Sequence, residues 1–219
     1  MDQLIFKFPF SKKYYEQDFF VSKNNFSAFK LIESWPNWPG KWLNIFGDSG
    51  SGKTHLATIL EKKINKVRII DAMHVDNELI KNLNHFNCLI IDNFKNNIEE
   101  KLFYSLLNQS KQLNNYLLVN STTSVRHTSF KLIDLQSRIN SFLFIGIDLP
   151  NDDLLKVIIS KNLSDKQISI NPKISEFIIK NVERSYEKMF KFLKELDELS
   201  LSTGKSININ LIKKVLKNE

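Results

Sequence analysis

Phe46-Gly47-Asp48-Ser49-Gly50-Ser51-Gly52-Lys53-Thr54 places three glycines, a lysine and a threonine at a spacing that can hold a polyphosphate. The run fits G-x-x-x-x-G-K-[ST], a phosphate-binding loop. Glycines let the backbone turn through positive φ and come close to an anion. Successive backbone N–H groups then point inward as an anion nest. Lys53 supplies a point charge for the β- and γ-phosphates, and the Thr54 hydroxyl can ligate Mg²⁺. A helix opening at Gly52 adds the positive end of its dipole. Gly47, Asp48, Ser49, Gly50, Ser51, Gly52, Lys53, Thr54 and the adjoining His55 are therefore candidate contacts to a nucleotide. The expected occupant is ADP or ATP, accompanied by Mg²⁺.

Cys88-Leu89-Ile90-Ile91-Asp92 is a second chemical signature, four apolar residues closed by an aspartate. At the carboxyl end of a central strand, beside the glycine loop, such a carboxylate can hold Mg²⁺ through water. Hydrolysing proteins of this class often carry a second acid at the next position, to orient the attacking water. Here that position is Asn93. An amide can hydrogen-bond water but cannot accept its proton at neutral pH. The substitution favours a nucleotide-binding switch over a vigorous ATPase.

These groups need a scaffold, and the flanking sequence supplies one. Trp42 to Phe46 reads as a buried strand leading into the loop, and Leu56, Ala57, Ile59, Leu60 and Ile64 recur at helical spacing after it. Further strands are expected at Val67–Asp71, at Phe86–Ile91 ending on Asp92, at Tyr116–Val119 and at Phe142–Ile147. Helical periodicity separates them at Val75–Leu83, Ile98–Leu113 and Leu132–Ile139. Asn24 or Asn25 can cap an earlier helix through Phe26, Phe29, Leu31 and Ile32, and two prolines in Trp35-Pro36-Asn37-Trp38-Pro39 stop it. Strands alternating with helices predict an α/β fold, a five-stranded parallel sheet with helices on both faces. After Pro150 only helical periods remain, at Leu154–Leu163, Ile174–Val182, Tyr186–Leu201 and Ile207–Leu216. The expected organisation is a tail over 1–17, a nucleotide-binding core over 18–150 and a small all-helical lid over 151–219.

Composition bounds the rest. No apolar run approaches the roughly 18 residues of a membrane span, and the first residues lack a basic leader and a cleavage site. With a single cysteine and no zinc-ligand spacing among four histidines, a cytoplasmic protein without structural disulfides or zinc is expected. Cys88 should behave as a buried small hydrophobe. The net charge of +7 comes from lysines dispersed along the chain, so it reads as solvated surface. The only arginines are Arg68, Arg126, Arg138 and Arg184. Where lysine is the default cation, an arginine points to a need for a planar, multi-donor fork. On the residues alone, Arg138 and Arg184 would otherwise be surface salt-bridge partners.

With these motifs in place, the chain resembles AAA+ proteins of the DnaA group. More narrowly, it is similar to the Hda-type regulators of replication initiation found in alphaproteobacteria. The likeness runs through Asp18-Phe19-Phe20-Val21, Trp35 to Pro39, Gly47 to Ala57, Asp92-Asn93, Asp134-Leu135-Gln136-Ser137-Arg138 and Glu183-Arg184. It implies an AAA+ phosphate-loop core with a helical lid, in which Phe20 and Val21 lie near the adenine. It implies that Arg138 is an arginine finger acting in trans and that Arg184 contacts the chain's own phosphates from the lid. Asn93 and Thr122 occupy sensor positions. DnaA usually carries Asp at the first sensor position, after the fourth strand, whereas Asn120-Ser121-Thr122 offers only neutral groups there, with Thr122 aligning best. Gln3, Leu4, Phe6 and Phe8, in Gln-Leu-x-apolar-x-apolar, resemble the motif by which this family binds the DNA polymerase sliding clamp. An extended peptide with alternating apolar side chains fills a hydrophobic groove while the glutamine amide sets register.

The implied partners are therefore DnaA and the clamp, with self-association left open, DNA reached only through partners, and no membrane. No helix-turn-helix module follows the lid, so sequence-specific DNA recognition is not expected. The implied function is promotion of hydrolysis of DnaA-bound ATP, and so negative regulation of initiation. Two other classes stay open. An independent AAA+ ATPase or helicase loader is permitted by the complete loop, although Asn93 and Thr122 argue against it. A DNA-tethering DnaA-like adaptor would show salt-sensitive DNA affinity.

Overall fold

Successive apolar side chains on short strands point to opposite sides and bury both faces of one parallel sheet. In the computed structural model, which describes residues 15–217, the strands are β1 (Trp42–Phe46), β2 (Val67–Asp71), β3 (Cys88–Phe94), β4 (Tyr116–Ser121) and β5 (Leu143–Gly146). All pair in parallel, in the order β2-β3-β4-β1-β5. The strand that feeds the glycine loop thus lies between β4 and β5. The clamp-motif residues Gln3, Leu4, Phe6 and Phe8 lie outside the described residues.

The pleat divides the core in two. Leu43, Ile45, Cys88, Ile90 and Leu118 face α1 (Phe26–Glu33) and α2 (Lys53–Lys63), meeting Ala28, Ile32, Leu56, Ala57, Ile59 and Leu60. Trp42, Leu89, Ile91, Leu117 and Val119 face the other way. They pack on α3 (Asn77–Lys81), α4 (Glu100–Gln112) and α5 (Ile133–Ile139), through Phe103, Leu106, Leu107, Leu135 and Ile139. Side chains of this size, fully buried, each contribute roughly 1.5–3 kcal/mol. Cys88 belongs to this core, and burial pushes its thiol pKa up to about 12.

Two strands depart from the sequence expectation where it matters most. β3 starts at Cys88 rather than Phe86 and runs past Asp92 to Phe94. β4 continues beyond Val119 through Asn120 and Ser121. Reading hydrophobicity stops a strand at its first polar residue. Here the polar residues stay in the sheet because the fold supplies most of their hydrogen bonds. Asn44, fully buried in β1, donates to the Val119 carbonyl and to Ser121 Oγ, each at 2.9 Å, and accepts from Val125 N at 3.0 Å.

Residues 149–217 form a separate unit from 15–148. It consists of α6 (Asp152–Ser164), α7 (Pro172–Asn181), α8 (Tyr186–Thr203) and α9 (Ile209–Lys217) around its own core of Leu155, Ile159, Phe192, Leu193 and Ile212. Side-chain caps start these helices: Asn151 accepts from Leu154 N, Asn171 accepts from Lys173 N with Pro172 at the first helical position, Ser185 accepts from Lys188 N, and Asn208 accepts from Leu211 N. Among the described residues, no helix is long and apolar enough to cross a membrane.

Candidate nucleotide site

The glycine loop joins β1 to α2, and its shape follows from what surrounds it. Gly47 has φ +156°, and a Cβ there would sit 2.8 Å from the Ile147 carbonyl oxygen. Gly52, the residue before α2, has φ +97°, and a Cβ there would lie 3.0 Å from the Phe19 ring. Both positions demand glycine for conformation and for space. Asp48, Ser49 and Gly50 are exposed at the loop's crest, while Ser51 is buried beneath it. Lys53 turns back over the loop: its ammonium donates to the Gly47 carbonyl at 2.6 Å, the Asp48 carbonyl at 2.8 Å and Ser51 Oγ at 3.3 Å. Burial pushes the Lys53 pKa below its usual range, against the opposing pull of the Asp92 and Asp48 carboxylates.

Asp92 joins three elements. Its Oδ2 accepts from the Thr54 hydroxyl at 2.8 Å and its Oδ1 from the Asn120 amide at 3.1 Å. The same amide donates to the Lys53 carbonyl at 3.2 Å. β3, β4 and the first turn of α2 are thus fastened together beside the loop. The Asn120 carbonyl oxygen is buried with no hydrogen-bond partner. Thr122, the expected sensor, lies past the end of β4 and is exposed. The residue that the structure brings to Asp92 is Asn120. Sequence reading missed it by ending β4 at Val119, two residues early.

Asn93 is close in sequence to Asp92, but its amide goes elsewhere. It adopts φ +57°, where Asn is among the better tolerated residues. Its Nδ2 donates to Asp71 Oδ2 at 2.7 Å, at the end of β2. That bond, followed by the Met73 backbone N–H, holds the Asp71 carboxyl below the usual carboxylate range.

The segment before α1 borders the loop. Phe19 stacks on Phe29 with centroids 5.6 Å apart and meets the His55 ring edge-on at 5.2 Å. Phe20 is exposed and Val21 half-buried. Asn25 starts α1 without capping it through its side chain. Its amide instead braces this segment, accepting from Ser22 N at 2.8 Å and donating to the Phe20 carbonyl at 2.9 Å.

The two expected functional arginines lie outside the loop. Arg138, in the last turn of α5, donates through Nε to Asn108 Oδ1 of α4 at 2.9 Å. Its Nη groups make no ion pair among the described residues. Arg184, in the lid, pairs with Asp152 at 2.8 Å, with both side chains well exposed.

A sequence model described as "Hda, lid domain" matches residues 152–216. The chromosomal replication initiator protein DnaA of Buchnera aphidicola subsp. Baizongia pistaciae is 28% identical over 99% of this chain and 53% of its own length. The chain spans about half the length of the curated DnaA relatives it matches. Domain III of the Thermotoga maritima replication initiation protein DnaA superposes with a TM-score of 0.76 at 19% identity, covering 96% of this chain and 98% of that one. This chain has the AAA+ fold and is similar to Hda and DnaA proteins. An AMPPCP-bound DnaA from Aquifex aeolicus shares the fold, with a TM-score of 0.67 at 17% identity over 87% of this chain and 67% of that one.

The residues of this AAA+ core fit a magnesium nucleotide. Gly47 and Gly52 leave no space for a Cβ in the loop, and the Asn120 amide that contacts Asp92 keeps its side-chain oxygen buried without a partner. Among the described residues, no cluster of three or more His, Cys, Asp or Glu could hold a metal by itself. Thr54 and Asp92 offer two oxygens, a donor set suited to Mg²⁺ that takes its other ligands from phosphate and water.

Proposed function

We propose that this chain is a nucleotide-binding regulator of replication initiation. It promotes hydrolysis of ATP held by a DnaA partner, reaching that partner's site with Arg138, and the DNA sliding clamp recruits it through residues 3–8. The observation that carries this reading is the Arg138 guanidinium, anchored by Nε with its outer amines outside any described ion pair. A phosphoryl group in transfer spreads negative charge over its oxygens, and an arginine fork neutralises that charge. The lid match and the DnaA likeness support the choice of partner.

In its own site the chain holds ADP or ATP with Mg²⁺. Lys53 and the loop N–H groups bind the phosphates, and Thr54 and Asp92 hold the metal. Phe20 and Val21 border the adenine, and Arg184 reaches the phosphates from the lid. Thr122 and Asn93 are the sensor positions of this reading. Bound Mg²⁺ lowers the charge on the phosphates and orients them. Intrinsic turnover is weak, because the amide next to Asp92 has no basic lone pair and is engaged by Asp71. The hydrolytic acid then belongs to DnaA. The protein acts in the cytoplasm.

Single-turnover hydrolysis by purified cognate DnaA preloaded with ATP tests this, with and without this protein and the DNA-loaded clamp. Acceleration only with both is expected. An unchanged rate overturns the reading, and salt-sensitive DNA binding in its place would favour a tethering adaptor. For the tail, replacing Gln3 and Leu4 by alanine should abolish clamp binding in surface plasmon resonance. Undiminished binding would remove those residues from the interface.

A further inference from the structure

We propose that Asn108 is the positioning residue for Arg138: its side-chain oxygen fixes the guanidinium so that both outer amines are presented together. This rests on the trans role of Arg138 given above and adds the residue through which that role is set.

An arginine side chain has four flexible torsions, and left to itself it samples many orientations. The hydrogen bond from Nε to Asn108 Oδ1, at 2.9 Å, ties down the one N–H on the inner edge of the fork. The four N–H groups on Nη1 and Nη2 stay available for a two-pronged contact to phosphate oxygens. The neutrality of the amide matters. A carboxylate at position 108 would draw the fork into an ion pair and cancel its charge, whereas an amide accepts the bond and leaves the full positive charge.

The backbone beneath is held as well. Glu100, in the first turn of α4, accepts from Lys131 N at 3.1 Å and from Leu132 N at 2.9 Å, just before α5 begins. Asn108 lies about two turns further along the same helix. Between these two contacts, Leu135 and Ile139 of α5 share a core with Phe103, Leu106 and Leu107 of α4. α4 therefore fixes α5 at its entrance, along its buried face, and at the functional side chain. Only the last of these contacts bears on the guanidinium itself, and so it can be removed while the helix pair remains.

The test is Asn108→Ala, which favours the helix and deletes the acceptor. The full chain is used, with thermal unfolding to verify the fold. Only four arginines are present, so the ¹⁵N spectrum of their Nε groups is simple, and Arg138→Ala identifies the relevant signal. Asn108→Ala should speed solvent exchange of the Arg138 Nε–H. It should lower stimulation of DnaA-bound ATP hydrolysis by on the order of tenfold to a hundredfold, as expected for a reacting group displaced by about 1 Å. Added to Arg138→Ala, it should cause no further loss. A change in helix packing alone would leave Nε–H exchange untouched and would still lower activity in the double variant, and either result overturns the proposal. If Arg138→Ala abolishes stimulation while Asn108→Ala retains it in full, the positioning role fails and the trans-arginine reading stands. If Arg138→Ala itself stimulates normally, that reading fails and the proposal fails with it.

Discussion

Lys53 and Arg138 are both cations on a helix beside the sheet, and the fold treats them in opposite ways. Lys53 is gathered inward, its ammonium shared among the oxygens of Gly47, Asp48 and Ser51. Burial lowers its pKa, which marks an ammonium short of water and suited to gain from added anionic charge. Arg138 is tethered by one inner nitrogen, with the outer edge of its fork in no described ion pair. A cation that serves its own chain can be enclosed by its own loop. On the proposed reading, a cation that is to serve a neighbour is fixed from behind and left open in front.

The largest expected effect breaks this contrast at its outward side. Arg138→Ala should reduce stimulation of partner hydrolysis by roughly a thousandfold in the single-turnover assay. Arg138→Lys should be nearly as poor, because an ammonium keeps the charge and loses the fork. ADP affinity in the chain's own site should be unchanged in both, since cis and trans roles are separable. The inward side comes next. Lys53→Ala should weaken ADP binding on the order of tenfold to a hundredfold by calorimetry, as for a lost charge-assisted contact. Equal affinities for mutant and wild type would remove the loop from nucleotide binding.

How much of this contrast was legible before the fold was known differs between the two sides. The Lys53 side is local: glycines, lysine and threonine fall within nine residues, and their spacing alone specifies the chemistry. The alternation of strands and helices, and so a parallel sheet covered on both faces, followed from the apolar patterns that burial enforces, whereas the order β2-β3-β4-β1-β5 came only from the structure. The Arg138 side is non-local. Asn108 is an ordinary polar residue on an amphipathic helix, and its meaning comes only from contact with a residue 30 positions away. Asn44 and Asn120 were hidden differently, as amides inside buried strands. The visible signal was a lone polar residue within Trp42-Leu43-Asn44-Ile45-Phe46. Such a residue survives in a core only when its hydrogen bonds are met.

Smaller effects sharpen the inward side further. Gly47→Ala forces a side chain into unfavourable φ and towards the Ile147 carbonyl. It should destabilise the core by roughly 1–3 kcal/mol in urea unfolding. Unaltered stability would show that the loop can relax there. The smallest expected change lies at Asp71. Its carboxyl is held below the usual range by Asn93, so in the folded state it stays ionised to lower pH than in the unfolded chain. Its contribution to stability is present above the ordinary aspartate pKa of about 3.9 and is lost as pH falls through the lower folded value. Asn93→Leu should raise the Asp71 pKa towards 3.9 in a ¹³C-carboxyl NMR titration, and an unmoved pKa would discount the bond.

The Asn93–Asp71 bond also constrains how this protein could change over generations. Acquiring an acid next to Asp92 takes one substitution, Asn93→Asp. That step sets two carboxylates against each other where an amide now donates at 2.7 Å, and like charges that close repel. The reverse order is gentler: Asp71→Asn first leaves a neutral pair, and an acid introduced afterwards meets an amide. Of the two mutational routes to an acid at position 93, one begins by setting like charges together and the other begins by giving up only the charge on one side of this hydrogen bond. The present pair therefore acts as a ratchet, favouring retention of an amide at position 93 for as long as Asp71 is kept.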